Sequence, residues 1–188
     1  MEALATTAAY VGAGTLLFSG YDHARHLALY DRLVRRQGIW PAGLEGTVVR
    51  LATAAEVALG VAAVALLLLL ERPPLLRAVL IAITGLYLLY GSFGLWLLRR
   101  RPAAPCGCSA LEHPTNAWVP VRAYCLAGLT LAGAALTGEL LRPDPSLAFL
   151  TILLMSTGLG ELIWMLPAAM HDPFQAAPRR RLRPTSVP

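Results

Sequence analysis

Unbroken apolar runs, each near the length that crosses a lipid bilayer, constrain this chain more than any other feature. A hydrocarbon core about 30 Å thick takes roughly 20 helical residues, and runs of that order occupy residues 3–20, 47–70, 75–98, 117–137 and 146–170. Barrel strands would instead alternate polar and apolar residues over roughly 10 positions, and these runs do not alternate. The sequence therefore predicts an all-α polytopic membrane helix bundle, a single domain over residues 1–172 with five spans. Composition agrees: 56% of the 188 residues are hydrophobic and 14% are charged, too apolar for a soluble domain of this length. The first run lacks a basic leader and reads as a retained helix rather than a signal peptide.

The formal charge of +5 comes from arginine alone. A nucleic-acid footprint needs basic residues gathered on one soluble face, whereas these arginines sit at the ends of the apolar runs. Residues 22–37 are polar overall, yet Leu27, Tyr30, Leu33 and Val34 recur at helical spacing among Arg25, Arg32, Arg35 and Arg36. That is the pattern of an amphipathic helix lying on a membrane surface. Asp22 is placed to cap its start, Asp31 to pair with Arg35, and Gly38 with Pro41 to stop it. A polar loop, residues 102–116, follows Arg99, Arg100 and Arg101 and carries Cys106, Gly107, Cys108 and His113. Pro120 suits the first turn of the helix after it. The tail, residues 173–188, is rich in arginine and proline and is expected to be disordered.

Short connections make consecutive spans alternate in direction. The ends of the first, third and fifth spans and the starts of the second and fourth then share one membrane face. That face collects the surface helix, the cysteine loop, Arg122, Cys125 and the tail. Glu56 and Glu161 fall inside the bilayer, nearer the same face. A charge in lipid costs on the order of 3 kcal/mol, so such residues are expected to turn inward and find partners. Arg122 is the expected partner of Glu56, and the pair either fixes packing or frames a reactive site. Arg122 and Cys125 lie three residues apart on one helix, so the guanidinium can favour the thiolate; a small cysteine in a membrane helix also serves plain packing. His23, His26 and His171 read as interfacial residues.

Cys106 and Cys108, one glycine apart in a polar loop, have no packing reason to be adjacent. Gly107 permits the tight turn that such proximity needs. A bridge between them is strained and readily exchanged, which suits a redox shuttle. The same thiols with His113 or Cys125 also suit a soft metal such as copper, zinc or mercury. In that alternative they form the entry site of a carrier or permease, with Glu56 or Glu161 along the path. In a third reading the chain is a structural subunit of a larger membrane complex.

Four groups of residues together resemble the MauE family of methylamine-utilisation membrane proteins, within the wider DoxX-like group. They are Phe18-Ser19-Gly20, Glu56 with Gly60, Pro105-Cys106-Gly107-Cys108, and the stretch Trp118 to Arg122. The resemblance implies a four-helix core and a membrane component of thiol-disulfide chemistry that works with a thioredoxin-like partner. Cys106 and Cys108 would carry the exchange, with Cys125 as a resolving thiol, Arg122 as thiolate stabiliser and Glu56 as its intramembrane partner. Analogy with quinone-linked oxidases such as DsbB and vitamin K epoxide reductase adds a quinone as electron acceptor. The chain departs from the family pattern at Ser109-Ala110, at Ala123 and in its fifth span.

Two arguments for orientation in the cell membrane point opposite ways. Thirteen of the 16 basic residues lie on the cysteine face, and only Arg72, Arg77 and Arg142 on the other, which places the loop in the cytoplasm by the positive-inside rule. Family chemistry places it outside, where disulfides are made.

Overall fold

An apolar chain in lipid must close its backbone hydrogen bonds within each segment, and this one does so as helices. The computed structural model describes residues 2–41, 43–69, 73–101, 104–105, 115–141, 143 and 146–169. Helix α1 spans Glu2–Arg25, α2 Leu27–Gln37, α3 Glu45–Leu69, α4 Pro73–Arg100, α5 Trp118–Ala135 and α6 Leu147–Ala169, with a 3-10 turn over Thr137–Glu139. The cysteine loop from Cys106 to His113, together with His171 and the tail, lies outside the described residues.

Four helices, α1, α3, α4 and α6, are long and apolar enough to cross a membrane. The expected fourth span is α5, whose 18 residues include Pro120 and the buried Arg122. It stands at the short end of the roughly 17–25 residues a span needs, outside that set of four, and packs against α4, α1 and α6.

The largest departure from the sequence reading is at the first turn of the chain. Helix α1 does not end at Gly20 but runs on to Arg25, so Asp22 is an interior residue and not the cap of α2. Asp22 accepts bonds from the Tyr30 hydroxyl and from His26 Nδ1 instead. The α2 boundary at His26 carries no side-chain cap. The rest of α2 follows expectation. Arg35 and Asp31 pair at 2.9 Å, and that bond raises the Arg35 pKa above its ordinary value. Gly38 closes the helix in the left-handed conformation, with φ 60° and its N–H on the Arg35 carbonyl. Tyr30 and Leu33 are buried against Val49 of α3.

Helix α1 is the hub, in contact with each of the other five helices. Small residues make up much of its buried surface, Ala5, Ala8, Ala9, Gly12 and Ala13 among them. Without a hydrophobic force between helices in lipid, small residues that admit close approach take over the work of packing. Gly20 and Gly60 carry this furthest. A Cβ on Gly60 would stand 2.8 Å from the Leu17 Cα, and one on Gly20 would stand 2.9 Å from the Val57 nitrogen. Helices α1 and α3 thus touch backbone to backbone, and the family motif residues Gly20, Glu56 and Gly60 form one contact. Large side chains such as Leu51, Leu68, Leu89, Leu154 and Leu162 are exposed outward, as lipid-facing surfaces require.

Candidate functional site

The close approach of α1 to α3 brings His23 onto Glu56. Glu56 is fully buried, and the His23 Nδ1 lies 2.6 Å from its Oε2. Its other oxygen, Oε1, accepts the Tyr90 hydroxyl of α4 at 2.7 Å. Arg122, the expected partner, is engaged elsewhere. Its Nη1 donates to the Trp164 carbonyl of α6 at 3.2 Å, and its guanidinium carbon stands 4.7 Å over the Trp164 ring. The reason is placement. Gly20 draws α1 against the face of α3 that carries Glu56, whereas Arg122 leaves α5 toward α6, in the turn where Pro167 interrupts the helical ladder. Two separate polar clusters therefore replace one Glu–Arg pair.

His23 was legible only as an interfacial residue, and its pairing with Glu56 is the main feature that sequence reasoning missed. The signal was present in the separation of small residues. Gly20 on one apolar run and Gly60 on the next allow close contact, and His23 and Glu56 each lie one turn from them in the same direction. Tyr30 packs edge-on against the His23 ring at 4.1 Å between centroids and bonds Asp22. The result is a polar chain through α1, α2, α3 and α4, buried at Tyr30 and Glu56 and half-buried at Asp22, His23 and Tyr90. His23 Nε2 has no hydrogen-bond partner among the described residues, and neither have the hydroxyls of Thr15 and Thr53.

Both clusters border a cavity of about 470 Å³ in the half of the bundle nearest the cysteine loop, lined by residues of all six helices. Its walls are mainly apolar. The polar groups on it include His23, Glu56, Tyr90 and Arg122.

The ends of the cysteine loop are fastened at this same face. Thr115 bonds the Ala104 carbonyl through both its N–H and its hydroxyl, each at 3.0 Å. Gln37 at the end of α2 donates to the Pro105 carbonyl at 3.1 Å, and Arg101 returns a bond to the Gln37 carbonyl at 2.6 Å. Asn116, just before α5, accepts the Trp118 N–H and donates to the Pro167 carbonyl of α6 at 2.8 Å. Cys106, Cys108 and His113 themselves lie outside the described residues.

Cys125 is exposed and free. The shared helix face does not bring it to Arg122, whose guanidinium is held on Trp164. Glu161 is likewise exposed on α6, with no ion pair among the described residues, where an inward position was expected. Among the described residues no three histidine, cysteine or acidic side chains group as a metal site.

The family model of the methylamine utilisation protein MauE matches residues 1–137. That stretch takes in α1 to α5 and ends before α6. No curated protein and no solved structure matches the chain.

Proposed function

Because the chain belongs to the MauE family of membrane proteins, we propose that it is a membrane-embedded thiol-disulfide redox protein that exchanges disulfides with a thioredoxin-like partner through Cys106 and Cys108. The observation that carries this reading is the pair itself, Cys106-Gly107-Cys108, set in a loop whose two ends are fastened together by Thr115 and Ala104. Gln37, Arg101 and Asn116 tie those ends to α2, α4 and α6. Fastened loop ends favour repeated exchange with a docking partner.

In the exchange a thiolate of one dithiol attacks the disulfide of the other. A mixed disulfide forms as the first S–S bond breaks, and a second thiolate resolves it. Oxidation of the partner leaves Cys106 and Cys108 as thiols. Cys125, exposed and free, is the third thiol available to resolve an adduct. The side of the cell membrane on which the partner docks follows from the side of the loop.

The test uses a purified thioredoxin whose second active-site cysteine is replaced by serine. A mixed disulfide with the oxidised protein, lost in the Cys106→Ser/Cys108→Ser variant and kept in Cys125→Ser, is expected. Full function in both single loop variants and in the double variant overturns the reading. A membrane-impermeant maleimide applied to intact cells, with and without reductant, reports the side and the redox state of the loop together.

A further inference from the structure

Reoxidation of the loop dithiol needs an oxidant, and the cavity narrows what that oxidant can be. Breaking two S–H bonds and forming one S–S bond releases two electrons and two protons. The acceptor must take both. The cavity beneath the loop ends is bordered by Leu51 of α3 and Leu89 of α4, and these residues are 66% and 62% exposed on the outer surface of the bundle. Its mouth is therefore lateral, between α3 and α4, and faces lipid. An occupant enters from the bilayer. Its volume of about 470 Å³ is within the roughly 300–1,000 Å³ of small-molecule sites.

The polar end of the cavity has an uncommon property. His23 is held through Nδ1 by a buried carboxylate at 2.6 Å, while its Nε2 has no partner among the described residues. With Nδ1–H held on the Glu56 carboxylate, an Nε2 that carries hydrogen donates to a carbonyl oxygen, and an Nε2 that has passed that hydrogen to the ligand accepts from the hydroxyl so formed. One proton moved from Nε2 to the ligand thus converts a donor into an acceptor while Glu56 keeps the ring in place. A molecule that interconverts carbonyl and hydroxyl as it is reduced is matched in both states by this pair.

We propose that this cavity binds a lipid-borne quinone, admitted between α3 and α4, with its ring oxygen at His23 and its chain along the apolar walls. The dithiol's two electrons and two protons form two O–H bonds on the quinone, giving a quinol and the Cys106–Cys108 disulfide. His23 is the group that bonds the ring, and Glu56 and Tyr90 are positioning residues that hold His23. The redox step rests on the thiol reading proposed above. Binding does not, because no cysteine among the described residues borders the cavity.

The experiment titrates a decyl-substituted benzoquinone into the full chain in nanodiscs and follows quenching of tryptophan fluorescence, since Trp40 and Trp164 both border the cavity. Protein-free nanodiscs correct for partitioning. Saturable quenching is expected, unchanged in Cys106→Ser/Cys108→Ser. Affinity is expected to fall about tenfold in His23→Leu, the scale of one lost hydrogen bond to a buried group. It should fall at least as far in Ala52→Phe, which narrows the mouth from a half-buried position and leaves the polar groups untouched. Absence of saturation overturns the proposal. So does unreduced affinity in both variants, or displacement by decanol as effective as that by the quinone, which would mark the cavity as a site for any amphiphile. Binding in the cysteine-free variant together with a failed mixed-disulfide test leaves the quinone site standing and removes the thiol reading. The converse pair of results does the opposite.

Discussion

The two halves of this bundle use the same helices to opposite ends. Away from the cysteine loop, Ala5, Ala9, Ala13, Leu76, Leu80 and Ala134 are buried to within 1% exposure, and small side chains let the helices close on one another. Toward the loop the same helices part around a cavity, and the groups that border it include the half-buried His23 and Tyr90 and the buried Glu56 and Arg122. A charge in lipid is costly and a gap forfeits dispersion contacts. A bundle able to close completely at one end therefore has no packing reason to open at the other. The difference marks the near half as the specialised part and the far half as its clamp.

The close seam of α1 on α3 should be the most sensitive to added bulk. Gly60→Leu puts a side chain where even a Cβ meets the Leu17 backbone at 2.8 Å, and the backbone cannot yield as a flexible side chain does. Destabilisation of about 3 kcal/mol is expected, read as a shift in the denaturation midpoint in detergent micelles. Gly128→Leu is the matched control, since nothing lies within 4 Å of a Cβ at that position. Equal losses in both would mean that helix approach is not what Gly60 supplies.

Next in size is Glu56→Ala. It strips the partner from the His23 ring nitrogen and an acceptor from the Tyr90 hydroxyl, and losing hydrogen bonds to a carboxylate in the bundle interior costs about 2 kcal/mol. Glu56→Gln keeps the volume and one acceptor oxygen and should lose less than half as much. A glutamine variant as unstable as the alanine one would place the effect in charge rather than in hydrogen bonding.

These two positions also show what the sequence made legible. The helices were readable because lipid forces long apolar segments into helices, and outside α1 the described helix ends lie within a few residues of the ends of the apolar runs. There the helix continues from Gly20 through polar Tyr21, Asp22 and His23 to Arg25, because α1 still packs against α3 at Gly20 and the polar side chains find partners on α2 and α3. The sharing of one face by Glu56, Arg122 and the loop ends followed from alternating direction alone. Partner choice did not. Whether Glu56 meets Arg122 or His23 depends on the rotation of each helix about its axis, which is set by where glycines allow contact. Hydropathy carries no trace of that rotation. Trp164 was likewise unforeseen, since it comes from α6, beyond residues 1–137 that match the family.

That origin leads to a smaller effect on the near half. Trp164→Leu removes the ring beneath the Arg122 guanidinium, 4.7 Å away, and the edge contact with Phe18 at 5.6 Å. It leaves the backbone carbonyl that Arg122 also bonds. A loss of about 1 kcal/mol is expected, seen as easier proteolysis between α5 and α6 before any change in the far half. Simultaneous loosening of both halves would show that α6 supports the whole bundle and not only Arg122.

The smallest effect belongs to a pair of hydroxyls deep in the clamp. Thr84 of α4 and Thr130 of α5 stand hydroxyl to hydroxyl at 2.9 Å, both buried. Each also lies within bonding distance of a carbonyl one turn back in its own helix, Leu80 for Thr84 and Leu126 for Thr130. Thr84→Val keeps the shape and leaves Thr130 with its carbonyl partner, so no buried group is orphaned. The cost should be near the average of about 0.6 kcal/mol for interhelical bonds in membranes, below a third of that for Glu56→Ala. A larger loss would show that hydrogen bonding, and not the fit of small residues, closes the far half, and the contrast between the two halves would then be one of degree.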